Sequence, residues 1–193
     1  MNNTCTISIT ETTKLPQPKK QLIIDQFYEQ CKGHVNNNDA KISKRYGIKQ
    51  LPKSDFIILA QRDSQGNETI LCGFLFLQII ENGILNQRYG YIDIVCSSKR
   101  FGKKLIGEAE RFCKYMDCKY IKISALDYVR SNGFSLIDNF YKKMNYYHVN
   151  NPCTSIKKEI RKGNNADGYR MTKCLENKLT NNGFDLMEDI WFT

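Results

Sequence analysis

The residues with the clearest chemical potential lie at 91–106, where a strand pattern ends in a short basic turn and continues as an amphipathic helix pattern. A helix start leaves free backbone N–H groups, and the helix dipole favours an anion there. Gly102 would let the backbone approach a phosphate closely. The basic side chains around this point are Lys99, Arg100, Lys103 and Lys104. The spacing predicts a cradle for a pyrophosphate group, and a solvated basic helix start explains the same residues nearly as well.

Candidate bases and nucleophiles are scattered along the chain. Asp93 is the first candidate for a general base, because it lies inside a strand where a carboxylate is costly without a partner. A strand-edge Asp held by a backbone N–H or a Lys is the simpler alternative. Asp127, just after the next strand, is the second candidate, and His148 and His34 rank below it. Cys96 at the strand end suggests a nucleophile, but no His or Asp is arranged nearby to activate it, which favours a structural thiol.

Hydrophobic periodicity predicts the elements that must position these groups, in the order β-α-loop-β-β-β-α-β-α-β-β. Strands are predicted at residues 4–10, 56–62, 69–80, 88–96, 120–126, 146–149 and 169–174. Helices are predicted at residues 21–32, 103–116 and 136–144. The strand–helix–strand unit at 88–126 should form a right-handed parallel crossover, whereas the hairpins before it are antiparallel. The sheet should therefore be mixed.

Motifs around the basic turn resemble the GNAT superfamily of acyl-CoA N-acyltransferases. The resemblance rests on the strand–turn–helix unit and on the runs at 124–126 and 139–146 that follow it. It spans residues 88–149 by motif, and the element order extends it over most of the chain. The cofactor loop of the family reads Gln/Arg-x-x-Gly-x-Gly/Ala. Here the final Gly is kept, whereas Ser97 and Arg100 replace the leading Gln/Arg and the first Gly.

The resemblance implies an α/β (α+β) fold, with a mixed, centrally splayed sheet of about seven strands flanked by helices. It implies a single domain over residues 1–193, with a cofactor-binding core at 88–149 and a C-terminal strand and tail at 168–193. The sequence contains no internal repeat and no linker that would divide the chain, which agrees with one domain.

The resemblance also implies roles for individual residues toward acetyl-CoA as the acyl donor. Tyr141 matches a helix tyrosine that lies near the cofactor sulfur and returns a proton to the departing thiolate, although packing beside Phe140 is the alternative. The backbone of the strand end should pair with the pantetheine arm. The residues implied to contact the cofactor are Ile94, Val95, Cys96, Ser97, Lys99, Arg100, Phe101, Gly102, Lys103, Lys104, Asn132 and Tyr141.

The implied activity is transfer of an acetyl group to a primary amine by direct attack in a ternary complex. Tyr141 would act as the acid and Asp93 as the base, and the acceptor, a small amine or a protein amine, stays open. The alternative is a non-catalytic basic module that binds nucleic acid or an acidic partner, which Ser97 and Arg100 in the loop keep open. The basic residues are not clustered with stacking aromatics in a recognised nucleic-acid motif, which argues against nucleic acid.

Composition sets the broad class. The chain has 193 residues, a net charge of +9 and eight cysteines without a C-x-x-C pair, so we expect reduced thiols and no metal site. Residues 1–20 lack the apolar core of a secretion signal, and the apolar run at 70–80 is too short to span a bilayer. These features predict a soluble cytoplasmic protein. The apolar tail should dock on its own core, and a homodimer through this tail is the alternative.

Overall fold

The computed structural model describes residues 5–31, 51–63, 69–83, 87–97, 101–125, 137–148, 153 and 169–175. Within this part the chain forms a six-stranded sheet in the order β1-β2-β3-β4-β5-β6. The strands are β1 Thr6–Glu11, β2 Phe56–Asp63, β3 Thr69–Asn82, β4 Gln87–Ser97, β5 Tyr120–Ala125 and β6 Tyr169–Cys174. The helices are α1 Gln17–Cys31 and α2 Phe101–Tyr115. Single turns occur at Thr12–Lys14, Leu51–Lys53, Ile137–Tyr141 and Lys142–Met144.

The sheet is mixed, as predicted. Strands β1 to β4 pair antiparallel, β4 and β5 pair parallel across α2, and β5 and β6 pair antiparallel. The expected seventh strand at 146–149 is reduced, within the described residues, to one bridge in which Tyr147 and Thr172 exchange two backbone hydrogen bonds. The α+β fold with a mixed sheet is therefore confirmed, with six strands among the described residues where about seven were predicted.

The core lies on both faces of this sheet. Helix α2 packs on one face through the apolar positions that its periodicity predicts, and its buried residues are Leu105, Ile106, Ala109, Phe112 and Cys113. The other face carries a second buried cluster that includes Ile23 of α1 together with Phe74, Phe76, Ile94 and Cys96 of the sheet. No helix in the described part of the chain is long and apolar enough to cross a membrane.

The expectation of reduced thiols is wrong for several cysteines. Disulfide bonds join Cys5 to Cys72 and Cys153 to Cys174, with Cα–Cα separations of 6.7 and 4.9 Å. Cys96 is also disulfide-bonded. The joined residues are 67 and 21 positions apart in the sequence, so local spacing could not reveal the pairs. The sheet and the chain that returns to it bring them together.

Helix α2 ends in a Schellman turn. The Cys118 N–H donates to the Cys113 carbonyl at 2.8 Å, and the Asp117 N–H donates to the Lys114 carbonyl at 3.0 Å. Cys113 and Cys118 are buried free thiols that form the apolar contact typical of this cap. Asp117 adopts a left-handed backbone conformation with φ of 57°. Its position therefore suits glycine better than an acidic residue.

We expect Asp117→Gly to stabilise the protein by roughly 1 kcal/mol, because it relieves the left-handed conformation and removes a carboxylate from the negative end of a helix dipole. Thermal melts should show a rise in Tm of about 2–4 °C for a chain of this size. Asp117→Asn isolates the charge contribution, since Asn tolerates the same conformation, and should give a smaller gain. A lower Tm for the glycine variant would show that the carboxylate has a stabilising contact instead.

Candidate functional site

A β-bulge lies at the centre of β4. The register with β3 passes from Leu77↔Ile92 directly to Phe76↔Ile94, so Asp93 is an extra residue without a partner on β3. Because of the extra residue, side chains two positions apart across the bulge point to opposite faces of the sheet. Ile92 packs in the cluster under α2, whereas Ile94 packs in the cluster on the opposite face. A bulge leaves backbone polar groups unpaired and redirects the side chain of the extra residue.

Beyond the bulge, β4 also stops pairing with β5, its neighbour on the other side. Parallel pairing with β5 runs from Tyr89↔Tyr120 to Ile92↔Ile123 and then ends. Strand β4 continues to Ser97, and β5 continues to Ala125 while still paired with β6. The two central strands therefore splay apart at the bulge. The end of β4 after Ile92 presents a backbone edge that no described strand covers.

The start of α2 lies beside this splayed strand end. A Cβ added to Gly102 would lie 3.1 Å from the Ser97 Oγ atom and 3.7 Å from the Phe140 Cζ atom. Because Gly102 has no side chain, a small space remains between the end of β4, the start of α2 and the turn at Ile137–Tyr141. Lys103 and Lys104 are exposed, and the first turn of the helix contains no acidic residue. Free N–H groups and two cations make this corner favourable for an anion.

Tyr141 ends a π-helical turn on the same face of the sheet as α2. Its side chain is buried and makes edge contacts to Phe140, with ring centroids 5.0 Å apart, and to Tyr146 at 6.4 Å. Burial raises the pKa of the Tyr141 phenol to about 12. No hydrogen bond joins its hydroxyl to another described residue. A neutral phenol in this position can donate to a ligand.

The turn that carries Tyr141 is held by a polar network behind it. The Tyr146 hydroxyl donates to the Glu110 Oε1 atom at 3.0 Å, and the Lys173 Nζ atom donates to the Oε2 atom at 2.6 Å. Asn145, in a left-handed conformation with φ of 65°, ends the turn. The Tyr146 N–H then donates back to the Tyr141 carbonyl at 3.0 Å. The network joins α2 and β6 to the turn and so fixes the position of Tyr141 above the sheet.

Asp93 combines partial burial with a nearby cation. Desolvation raises the pKa of its carboxyl above the ordinary value, and the charge of Lys53 acts in the opposite direction. Lys53 ends the turn at Leu51–Lys53, and its carbonyl accepts a hydrogen bond from the Gln78 side chain at 2.9 Å. A carboxyl with a raised pKa at a bulge is a reasonable proton acceptor.

Comparisons with known proteins agree with this geometry. No family model and no curated protein matches the sequence. Among solved structures, an acetyltransferase of the GNAT family from Staphylococcus aureus matches with a TM-score of 0.52 and 15% identity, covering 89% of this chain and 100% of its own. Arabidopsis thaliana NAA60, solved with a bisubstrate analogue, matches with a TM-score of 0.53 and 16% identity, covering 88% and 99%. The chain has the GNAT fold. The NatC complex bound to Gag peptide and CoA also matches, with a TM-score of 0.53, 15% identity and coverage of 88% and 99%.

Those residues predicted to contact the cofactor that the structure describes lie close together, at the end of β4, the start of α2 and the adjacent turn. The residues of this set that lie along the strand end, the helix start and the adjacent turn are Ile94, Val95, Cys96, Ser97, Phe101, Gly102, Lys103, Lys104 and Tyr141. Cys96 is buried in the cluster on the opposite face and is disulfide-bonded, so it has no free thiol to act as a nucleophile. Lys99, Arg100 and Asn132 lie outside the described residues, as do Asp127, His34 and the tail 176–193.

Sequence reasoning missed two residues of the site. Phe140 forms a wall between Gly102 and Tyr141, and the sequence offered only its position next to the tyrosine. The charge of Lys53, which lies on a distant turn, lowers the pKa of Asp93, and nothing in the local sequence indicates this influence.

Proposed function

We propose that the protein is an acetyl-CoA-dependent N-acetyltransferase that passes the acetyl group directly to a primary amine in a ternary complex. The proposal rests on one observation above all, the separation of β4 from β5 after Ile92 and Ile123. The separation leaves a strand edge that a pantetheine amide arm would fit, with a helix start suited to phosphate beside it. The structural neighbours with CoA and with a bisubstrate analogue support this assignment at the level of fold.

In this proposal the donor supplies an activated thioester, and the chain binds, orients and polarises it. The open backbone edge of β4 holds the pantetheine arm through residues 94–97, and the start of α2 binds the pyrophosphate. A backbone N–H on the edge of β4 that β5 leaves uncovered donates to the carbonyl oxygen as negative charge develops there. Holding both substrates in line lowers the barrier mainly through positioning. A covalent acyl-cysteine route through Cys96 is set aside, since that sulfur is already bonded.

Tyr141 supports departure of the sulfur. A phenol whose pKa is about 12 keeps its proton throughout the physiological range. It is a weaker acid than a thiol, whose pKa is about 8.5. Its contribution is therefore a hydrogen bond to the sulfur as charge builds, and the proton lost by the amine completes the balance. The buried ring contacts keep the hydroxyl in place.

Asp93 is proposed to take the amine proton, directly or through a water. Since its folded pKa is raised, the base form is lost as the pH falls through that higher value. We predict that the acid limb of the kcat/KM profile lies above the range of an ordinary Asp. Lys53→Gln should move this limb to higher pH, because Lys53 lowers the pKa. Asp93→Asn should reduce kcat/KM by about 100-fold and abolish the limb.

The free energy of unfolding provides a separate test of the role of the Asp93 carboxyl. A raised folded pKa means that Asp93 favours the folded state below its unfolded pKa and loses that contribution as the pH rises through the folded value. At neutral pH, Asp93→Asn should therefore leave the free energy of unfolding unchanged or slightly higher while activity falls. An inactive variant that is also strongly destabilised would assign Asp93 a structural role and contradict its role as base.

The proposal is tested first by calorimetric titration with acetyl-CoA, followed by a screen of small amines and N-terminal peptides. Release of free thiol and the mass of the acetylated acceptor give the readout. We expect saturable binding at micromolar strength and thiol release that depends on one class of amine. A folded protein that binds no acetyl-CoA but binds nucleic acid, with affinity falling steeply as salt increases, would replace this proposal with the basic binding module.

A further inference from the structure

The disulfide between Cys5 and Cys72 crosses the sheet in an unusual way. Cys5 immediately precedes β1, and Cys72 lies in β3, so the bond skips the strand between them. Cys72 is the extra residue of a second bulge, since the register passes from Ala60↔Gly73 to Gln61↔Leu71. The bulge places Cys72 on the face of the sheet that carries α2. Cys5 packs against the same cluster.

Close packing links Cys72 to the cofactor end of β4. The next residue, Gly73, pairs with Ser97, and a Cβ at Gly73 would lie 2.6 Å from the Ser97 Cβ atom and 2.8 Å from the Cys96 carbonyl oxygen. The two strands are therefore in backbone contact at this point. Ser97 in turn places its Oγ atom 3.1 Å from the Cβ position of Gly102. The bulge at Cys72, the end of β4 and the start of α2 therefore form one continuous set of close contacts.

We propose that the Cys5–Cys72 disulfide is a redox-controlled clamp that holds the end of β4 in place for binding the acyl-CoA donor. The inference rests on the proposed function for the identity of the ligand. When the clamp closes, the thiols of Cys5 and Cys72 react with a small-molecule disulfide. One S–S bond forms in the chain, the disulfide donor is cleaved to two thiols that carry the two protons, and the chain is oxidised by two electrons. A dithiol reverses the step.

The oxidised form binds the donor more tightly, because it is held in the conformation that the ligand requires. Cross-linking Cys5 to Cys72 restrains the outer strand β1 and the bulge together, so less conformational freedom is lost on binding. In the reduced form the edge strand opens more readily, since edges are the least stable part of a sheet. The bulge at Cys72 can then relax and carry Gly73 and Ser97 with it.

The disulfide at the opposite edge of the sheet supplies a matched control. Cys153–Cys174 closes the opposite edge of the sheet, where Cys174 pairs with Tyr120 at the start of β5. That position lies at the end of β5 away from the splay, which begins after Ile123. Loss of this bond should lower stability without changing the cofactor end.

The test compares the Kd for CoA, measured by calorimetry, in oxidised wild-type protein and in oxidised Cys5→Ser, because a reductant would also open the Cys96 disulfide. We expect loss of the Cys5–Cys72 bond to weaken binding by at least about 5-fold, the lower end of typical coupling between sites. Oxidised Cys153→Ser should bind like oxidised wild type. Equal Kd values for oxidised wild type and Cys5→Ser would overturn the clamp, as would an equal loss in Cys153→Ser.

Two measurements without CoA separate this inference from the proposed function. Peptide mapping of non-reduced protein must find Cys5 joined to Cys72 after treatment with glutathione disulfide, and its absence refutes the clamp. Hydrogen exchange of peptides covering residues 91–97 should be faster in oxidised Cys5→Ser than in oxidised wild type, a comparison that keeps the Cys96 disulfide intact. Cys5→Ala takes the place of Cys5→Ser if the serine variant fails to fold. If CoA binds neither form, the proposed function fails, and this exchange rate alone decides for or against the clamp.

Discussion

Replacing Gly102 with glutamate should reduce affinity for acetyl-CoA by at least about 100-fold, because a carboxylate would occupy the helix start assigned to the pyrophosphate. The side chain has little room there, with the Ser97 Oγ atom 3.1 Å and the Phe140 Cζ atom 3.7 Å from its Cβ position. The loss should not come from unfolding. Glu is favourable in the first turn of a helix and has a higher helix propensity than Gly.

Gly107→Glu is the matched control for this change. It introduces the same charge in the same helix, and nothing lies within 4 Å of its Cβ position. We expect wild-type affinity from this control and a Tm at or above wild type for both variants. Gly102→Glu protein that folds and binds acetyl-CoA normally would place the phosphates elsewhere and remove α2 from the site.

Replacing Tyr141 with phenylalanine should reduce kcat by about 100-fold and change the Kd for acetyl-CoA by less than a few-fold. The hydroxyl is removed while the ring keeps its edge contacts to Phe140 and Tyr146. Because no described partner of the hydroxyl is lost, the free energy of unfolding should stay unchanged or rise. The measurements are steady-state kinetics, calorimetry of the donor and thermal melts.

Tyr146→Phe should have the opposite effects, a loss of stability with little change in kcat. It removes the 3.0 Å hydrogen bond to Glu110, a bond to a charged group, and should cost about 1.5–3 kcal/mol of stability. Its effect on kcat should be much smaller than that of Tyr141→Phe, since Tyr146 acts only by holding the turn. If both variants lose activity in proportion to their stability, Tyr141 is a packing residue, and the proposed hydrogen bond from its hydroxyl to the departing sulfur fails.

The sequence predicts most elements of the fold because their signals are local. The apolar spacing of α2 requires only 3.6-residue periodicity, and the buried positions Leu105, Ile106 and Ala109 follow it. The parallel crossover between β4 and β5 follows from a helix between two strands. The turn at Ile137–Tyr141 was predicted as an ordinary helix, since a π turn has no distinct signature over so few residues.

The decisive geometry of the site depends on contacts between distant segments. The bulges at Asp93 and Cys72 exist only relative to the register of the neighbouring strands, which alternation along one strand cannot define. The charge of Lys53, 40 positions earlier in the chain, acts on the carboxyl of Asp93. Disulfide connectivity has the same non-local origin, so the scattered cysteines gave the wrong expectation of reduced thiols.

Hydrogen exchange with and without acetyl-CoA tests the central claim most directly, since it reports both binding and its location. The donor should protect the amides of residues 93–97 at the splayed strand end and residues 101–104 at the start of α2. Amides of β1 and β2 should exchange as in the free protein. Protection confined to another part of the chain, or no change at saturating acetyl-CoA, would contradict an acyl-CoA site between β4 and β5.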